Sequence, residues 1–331
     1  MKKKLAIVLS MVLVFAMLFM TACGGNTEDP KEPDNAQQVI SKVKVGTGGN
    51  TGTYYAFTTA ACQILGTDTY SFEVLSTGGS QANIEGIEDG DYQMAIVQND
   101  VMNYAYEGSN GFNGQIQSFS AIGCVYPEVC QIIATKASGI KSVADLKGKN
   151  VAVGDVGSGV YYNATQILAA AGIDIDKDIN KTAASFGDSA TQLKDGSIDA
   201  AFITAGTPTT AITELATSTE VVAVDLGEDV IAKLMNDYPF YAKYEMTSKD
   251  YDFIADPINT VAIMATFVVT NDMSEDQAYQ ITKDLWEKQA DIAVAHAKGN
   301  EMNTDIAASA IGNVPLHPGA EKYYKEAGII A

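Results

Sequence analysis

Four stretches of this 331-residue chain place glycines and hydroxyl-bearing residues between an apolar run and a helical start. They are VKVGTGGNTGTYYAF (43–57), VLSTGGSQANIEGI (74–87), VAVGDVGSGVYYNATQIL (151–168) and the weaker FITAGTPTTAI (202–212). Each would present backbone N–H groups, hydroxyls and the positive end of a helix dipole, a chemistry suited to holding an anion. The chain has no arginine. A carboxylate or phosphate must therefore be held without the bidentate fork that usually does this. Ser80, Ser158 and Thr207 are expected as helix N-caps, the last with Pro208 at the first helical position.

Other chemistries fare worse. Gly46-x-Gly48-x-x-Thr51-Gly52 is an imperfect dinucleotide fingerprint, because no acidic residue ends a second strand about 20 residues on; Glu73 lies inside its strand. No Gly-Lys-Ser/Thr exists, which excludes a P-loop. Gly78-Gly79-Ser80-Gln81-Ala82 resembles a nucleophile elbow with Ala for the last Gly, and the only histidines that could serve it are His296 and His317. With two histidines, no CxxC and no HExxH, no structured zinc site is expected. No cofactor is expected either.

The elements that must position these loops alternate. Apolar runs at 43–47, 71–77, 92–98, 119–126, 129–135, 151–155, 199–204, 220–226 and 260–271 read as strands. Helical segments fall between most of them, at 54–65, 80–89, 158–171, 188–196, 208–217 and 274–298. Continuous apolar strands separated by helices indicate α/β architecture with mainly parallel sheets covered on both faces. The stretch after residue 128 starts a new βα series, and the chain is expected to return to its first half after residue 271. Two α/β lobes (43–128 with 272–331, and 129–271) joined by two crossing strands would enclose a cleft at the ends of both sheets, where open α/β folds bind ligands.

The first residues, MKKKLAIVLSMVLVFAMLFMTAC, carry three lysines, an apolar run and small residues before Cys23. This reads as a signal peptide over 1–22, with Met20-Thr21-Ala22-Cys23 resembling a lipobox; the alternative is a retained transmembrane helix. Lipidation of Cys23 would anchor the chain to the outer face of a bacterial cell membrane. A polar tether follows to residue 42. Without Lys2, Lys3 and Lys4, 18 lysines stand against 41 acidic residues, a balance of −23, which argues against a nucleic-acid partner. Cys62, Cys124 and Cys130 read as small buried hydrophobes, with a Cys124–Cys130 bridge open. Tyr54, Tyr55, Tyr161 and Tyr162 read mainly as packing, as do Trp286, Tyr323 and Tyr324.

VGTGGNTGTYYAF, LSTGGSQANI, MAIVQNDVMNYAYEG, VYPEVCQIIATKASGIKSVADLKGKNVAVGDVGSG and PLHPGAEKYYKEAG together resemble the TAXI-type solute receptors of tripartite ATP-independent periplasmic (TRAP) transporters, over residues 43–328. The resemblance implies a two-lobe type II periplasmic-binding-protein fold and no enzyme activity. It implies a monomer that binds a small organic acid or amino acid, glutamate- or 2-oxoglutarate-like, and delivers it to a membrane permease. The family tends to have Gly-Ser-Gly-Thr where this chain has Gly157-Ser158-Gly159-Val160, so one hydroxyl is lost. By similarity and by the loop argument, the expected ligand residues begin with Gly52, Thr53 and Tyr55 after the first strand. Thr77, Gly78, Ser80 and Asn83 form the second anion loop. Gln98, Asn99 and Asp100 would read an amide or ammonium, and Glu128 would pair with a ligand ammonium. Ser158, Gly159, Asn163, Thr204 and Thr207 would close from the second lobe. The competing readings are a receptor of the same fold serving an ABC importer and a secreted serine hydrolase using Ser80.

Overall fold

A computed structural model describes residues 39–331. The expected signal segment, Cys23 and most of the expected tether lie outside the described residues. Gln277 clamps Ile40 just before the first strand, accepting from its N–H and donating to its carbonyl, each at 2.9 Å.

The strands are β1 (Lys42–Gly46), β2 (Ser71–Leu75), β3 (Met94–Gln98), β4 (Phe119–Thr135), β5 (Asn150–Ala152), β6 (Asn180–Thr182), β7 (Ala200–Ala205), β8 (Val221–Ala223), β9 (Ala242–Met246) and β10 (Ile258–Thr270). They join in the order β2-β1-β3-β10-β4-β7-β5-β6, with β8 beside β4 and β9 beside β10. The pairings β1–β2, β1–β3, β5–β6 and β5–β7 are parallel, as continuous apolar runs linked by helices require.

Two strands belong to both halves. The front of β4 pairs with the back of β10, while Val129–Ala134 of β4 pairs with β7 and the start of β10 with β9. The sequence suggested two strands broken at Pro127-Glu128; instead the chain runs straight through as one 17-residue strand. Proline is tolerated there because β4 is the edge of the first half-sheet at that point.

The helices are α1 (Thr53–Leu65), α2 (Ser80–Glu88), α3 (Asn99–Glu107), α4 (Gly159–Ala170), α5 (Phe186–Asp195), α6 (Thr210–Ala216), α7 (Glu228–Asp237), α8 (Glu275–Glu287), α9 (Gln289–Ala295), α10 (Thr304–Ala307) and α11 (Pro318–Glu326). One core packs α1, α8 and α11 on the first half-sheet through Phe57, Phe267, Leu285 and Tyr324. Trp286 donates to the Tyr324 hydroxyl at 2.8 Å, which donates in turn to the Ile122 carbonyl at 2.8 Å. A second core joins α4 and α7 to the other half-sheet through Ile132, Val151, Ile167 and Leu234. Cys62, Cys124 and Cys130 are free thiols within the packing, so no Cys124–Cys130 bridge forms. Among the described residues, no helix is long and apolar enough to cross a membrane.

Candidate functional site

Five helices begin on one cavity between the halves, with N-cap positions Gly52 for α1, Gly79 for α2, Gln98 for α3, Ser158 for α4 and Ser185 for α5. Ser185 caps its own helix by accepting from Asp188 N–H, whereas Gly52, Gly79 and Ser158 supply no side-chain cap. An α-helix leaves its first backbone N–H groups without intrahelical acceptors, and the dipole makes that end positive. The N-caps expected at Ser80 and Thr207 are therefore corrected. Gly79 takes the position ahead of Ser80 because the chain turns there at φ 113°, which glycine adopts freely. α6 starts at Thr210 with Thr209 ahead of it, and Thr207 instead donates to Asp250 at 2.5 Å.

The cavity has a volume of about 60 Å³. Gly48, Gly49, Gly52, Thr53, Tyr54, Thr77, Gly78, Gly79, Ser80, Gln98 and Glu128 line it from the first half. Asp155, Ser158, Gly159, Val160, Ser185, Phe186, Thr204 and Ala205 line it from the second. The halves touch directly around it. Thr53 donates to the Gly206 carbonyl at 2.8 Å, Ala82 N–H to the Gly157 carbonyl at 3.0 Å, and Tyr162 to Gln81 at 2.9 Å. Glycine is required at two of these approaches. A Cβ on Gly78 would stand 2.5 Å from the Val156 carbonyl oxygen, and one on Gly159 would overlap the Gln98 amide.

A chain of buried polar groups leads away from the cavity. Ser80 Oγ accepts from Gln98 N–H at 3.0 Å, and the Gln98 amide donates to Asn163 Oδ1 at 2.6 Å. Asn163 donates to Asp100 at 3.0 Å and to the Tyr241 hydroxyl at 2.9 Å. Tyr241 continues to Gln166, which donates to the Tyr104 hydroxyl at 3.0 Å. Burial pushes the Asp100 carboxyl up to about 7. The Ser158 hydroxyl, by contrast, is buried and has no hydrogen-bond partner. It is an orphan on the cavity wall, of a kind that folded proteins rarely leave without an acceptor or donor.

Glu128 is 2% exposed and accepts from the Tyr54 hydroxyl at 2.5 Å. No lysine lies within ion-pair distance of it among the described residues; Lys298, buried nearby, pairs with Glu301 at 2.7 Å. Burial raises the Glu128 carboxyl well above the usual range, with Tyr54 and Lys298 opposing that shift only in part.

Residues 45–328 match the NMT1-like family. The chain belongs to that family. A structure from Bordetella bronchiseptica RB50 is 17% identical with a TM-score of 0.52, over 88% of this chain and 90% of that one. A Streptococcus mutans structure, described with glutathione import via GshT and the cystine ABC importer TcyBC, is 12% identical with a TM-score of 0.52, over 80% and 97%. The zinc-bound ligand-binding component of an ABC-type import system from Staphylococcus aureus is 10% identical with a TM-score of 0.51, over 88% and 93%. These likenesses establish the fold as the two-lobe type II periplasmic-binding-protein fold.

In this member of the NMT1-like family, Gly52, Thr53, Thr77, Gly78, Ser80, Gln98, Glu128, Ser158, Gly159 and Thr204 meet at the cavity. Six expected residues do not line it. Tyr55 faces a groove with Cys62 and Phe72; its neighbour Tyr54, read from sequence as packing, is the one that reaches Glu128. Asn83 holds the second loop from behind, donating to the Thr47 and Ile96 carbonyls at 2.6 and 2.9 Å. Asn99 bonds Ala310 and Met264, Asp100 and Asn163 belong to the buried chain, and Thr207 bonds Asp250. Sequence reasoning missed Asp155, Ser185 and Phe186, although Asp155 stands in the quoted third loop. The serine-hydrolase reading fails on geometry. His317 Nδ1 accepts from Gly319 N–H and Nε2 contacts the Met273 carbonyl, while His296 caps Lys298 and packs on Phe57. The bonded partners of Ser80 are Gln98 and Tyr54, neither of them a base.

Proposed function

We propose that this protein is an extracytoplasmic receptor that closes on a small organic acid and hands it to a membrane permease. The observation that carries the reading is the convergence of helix N-termini without side-chain caps, at Gly52, Gly79 and Ser158, with the orphan Ser158 hydroxyl, on one cavity. Such a site neutralises a carboxylate with backbone dipoles in place of arginine. The ten expected residues on its wall are the proposed ligand contacts, with Tyr54, Asp155 and Phe186 added. The moving bodies are residues 43–128 with 272–331, and 129–271. A lipid on Cys23 would hold this monomer at the membrane.

The permease is proposed as TRAP-type on the strength of the ordered motif set. The ABC-importer reading has its own support, since two solved structures of the same fold are described with ABC importers. Cross-linking in native membranes separates them: capture of a TRAP permease subunit supports the first, capture of an ABC permease the second. Native mass spectrometry of the purified protein tests the receptor reading itself. A carboxylic acid released on denaturation is the expected result, and failure to bind any organic acid in calorimetry would overturn it.

A further inference from the structure

The halves also meet away from the cavity, beside α3. The chain turns sharply after that helix, with Gly108 at φ 68°, Asn110 at φ 50° and Gly111 at φ 101°. Glycine and asparagine accept such backbone where most residues do not. The turn lays Phe112, only 9% exposed, flat against Tyr162 of α4 in the other half, with ring centres 6.1 Å apart and planes 5° apart. Tyr104 of α3 lies 6.0 Å from Tyr162 and stands edge-on to Phe240 at 6.3 Å. Aromatic rings at these separations attract beyond their burial. Beside the rings runs the buried polar chain. Three of its bonds cross from one half to the other: Gln98 to Asn163, Asn163 to Asp100, and Gln166 to Tyr104. Of these ring and chain residues, only Gln98 lines the cavity.

These contacts are made by the protein with itself. They favour the shut arrangement by the same amount whatever the cavity holds. Parting the halves would expose apolar ring surface to water and trade three buried hydrogen bonds for hydration, and both changes oppose opening. Resting on the two moving bodies proposed above, we infer that this seam of rings and amides is a latch: it holds the halves shut without help from a ligand, and its parting is the step that admits one. The latch then sets affinity and entry from outside the site. Loosening it raises the open fraction, so that ligands enter faster and are held for a shorter time. The change is one common factor for every ligand, because the rings touch none of them. Substitutions on the cavity wall differ in kind, since they act through contacts that vary from ligand to ligand.

The test measures the gap between the halves and needs no ligand. Helices α2 and α5 begin on opposite walls of the cavity, so their far ends separate when the halves part. Spin labels go on Asp89→Cys and Lys194→Cys, exposed at those ends, while the native thiols Cys62, Cys124 and Cys130 are buried. Pulsed EPR is recorded on dialysed protein that native mass spectrometry shows to carry no small molecule. With the latch intact, one distance is expected, that of the shut arrangement. Phe112→Ala should lower the ratio of shut to open molecules by about tenfold, and Phe112→Ala with Tyr104→Phe by about thirtyfold. Phe112→Tyr keeps the ring and should behave as the intact latch does, which separates loss of the stack from damage to the turn. All should melt as folded proteins. A mainly open population with the latch intact would overturn the inference, as would distances unchanged in the doubly substituted latch. Either result leaves the organic-acid reading standing, since that reading is decided by the calorimetry above.

Discussion

Ser80 and Ser158 open two helices on opposite walls of one cavity, in loops of similar glycine-rich composition, yet their hydroxyls are used differently. Ser80 is committed within its own lobe: it accepts from Gln98 N–H and stands 3.4 Å from the Tyr54 hydroxyl. Ser158 has no protein partner at all. The first loop is a fixed shelf braced by Asn83 and Thr77, while the second presents an unsatisfied group. Equivalent motifs therefore do not imply equivalent roles, and the residue that completes its hydrogen bonding inside the protein is the weaker candidate for ligand contact.

The strongest way to break this contrast is to stop the two loops from meeting. Gly78→Ala would put a methyl against the Val156 backbone carbonyl, which cannot turn away as a side chain could. Affinity for the ligand should fall by about a hundredfold, some 2.7 kcal/mol, while the melting temperature of the ligand-free protein holds. Undiminished binding would mean the loops need not touch. Ser80→Ala should act next most strongly, and on stability. It strands the buried Gln98 N–H, at about 1–3 kcal/mol, visible in ligand-free melts. Ser158→Ala should do the reverse, weakening binding about tenfold and leaving the ligand-free melt unchanged. If the two serines trade phenotypes, the shelf and the contact have been assigned to the wrong loops.

The loops themselves were legible in the sequence because glycine and hydroxyl residues after an apolar run leave few other readings. The pattern could not say which hydroxyl would be spent internally, since that depends on Gln98, brought to Ser80 from the end of β3. The same limit explains Tyr54 and Tyr55. Adjacent positions on a helix point about 100° apart, and composition does not reveal which one faces the cleft. The expected break at Pro127 failed because a proline penalty depends on whether the strand has a neighbour on that side. Helix α3 was overlooked because Asn99 and Asp100 look like loop-end polar residues; they instead enter a helix directly from β3 and are satisfied in the interior.

A smaller effect should appear in the polar chain between the lobes. The Asp100 carboxyl is raised from 3.8 to about 7 in the fold. Its contribution to stability is therefore whole below about pH 4 and is lost as pH rises towards 7, because the unfolded chain surrenders that proton first. Asp100→Asn should flatten the decline in melting temperature across this window, by at most about 1.4 kcal/mol per pH unit. An unchanged slope would show that Asp100 is not buried as a neutral acid. The smallest effect should come from salt. With no lysine on the cavity wall, a tenfold rise in ionic strength should change affinity by less than about twofold; a steep loss would mean exposed lysines hold the ligand instead.

Glu128 follows Pro127 in β4, at the point where the strand passes from one half-sheet to the other, opposite Ile263 of β10. If the halves close about these two shared strands as proposed, Glu128 lies near the pivot, and points near a pivot travel least. A carboxyl placed there would keep nearly the same surroundings whether the jaws are apart or together. The loops where Gly78 approaches Val156 would sweep a longer arc. Recognition of the ligand's charge and registration of its shape are thereby separated in distance from the axle: the first can be made on arrival, and the second only when the arc is complete.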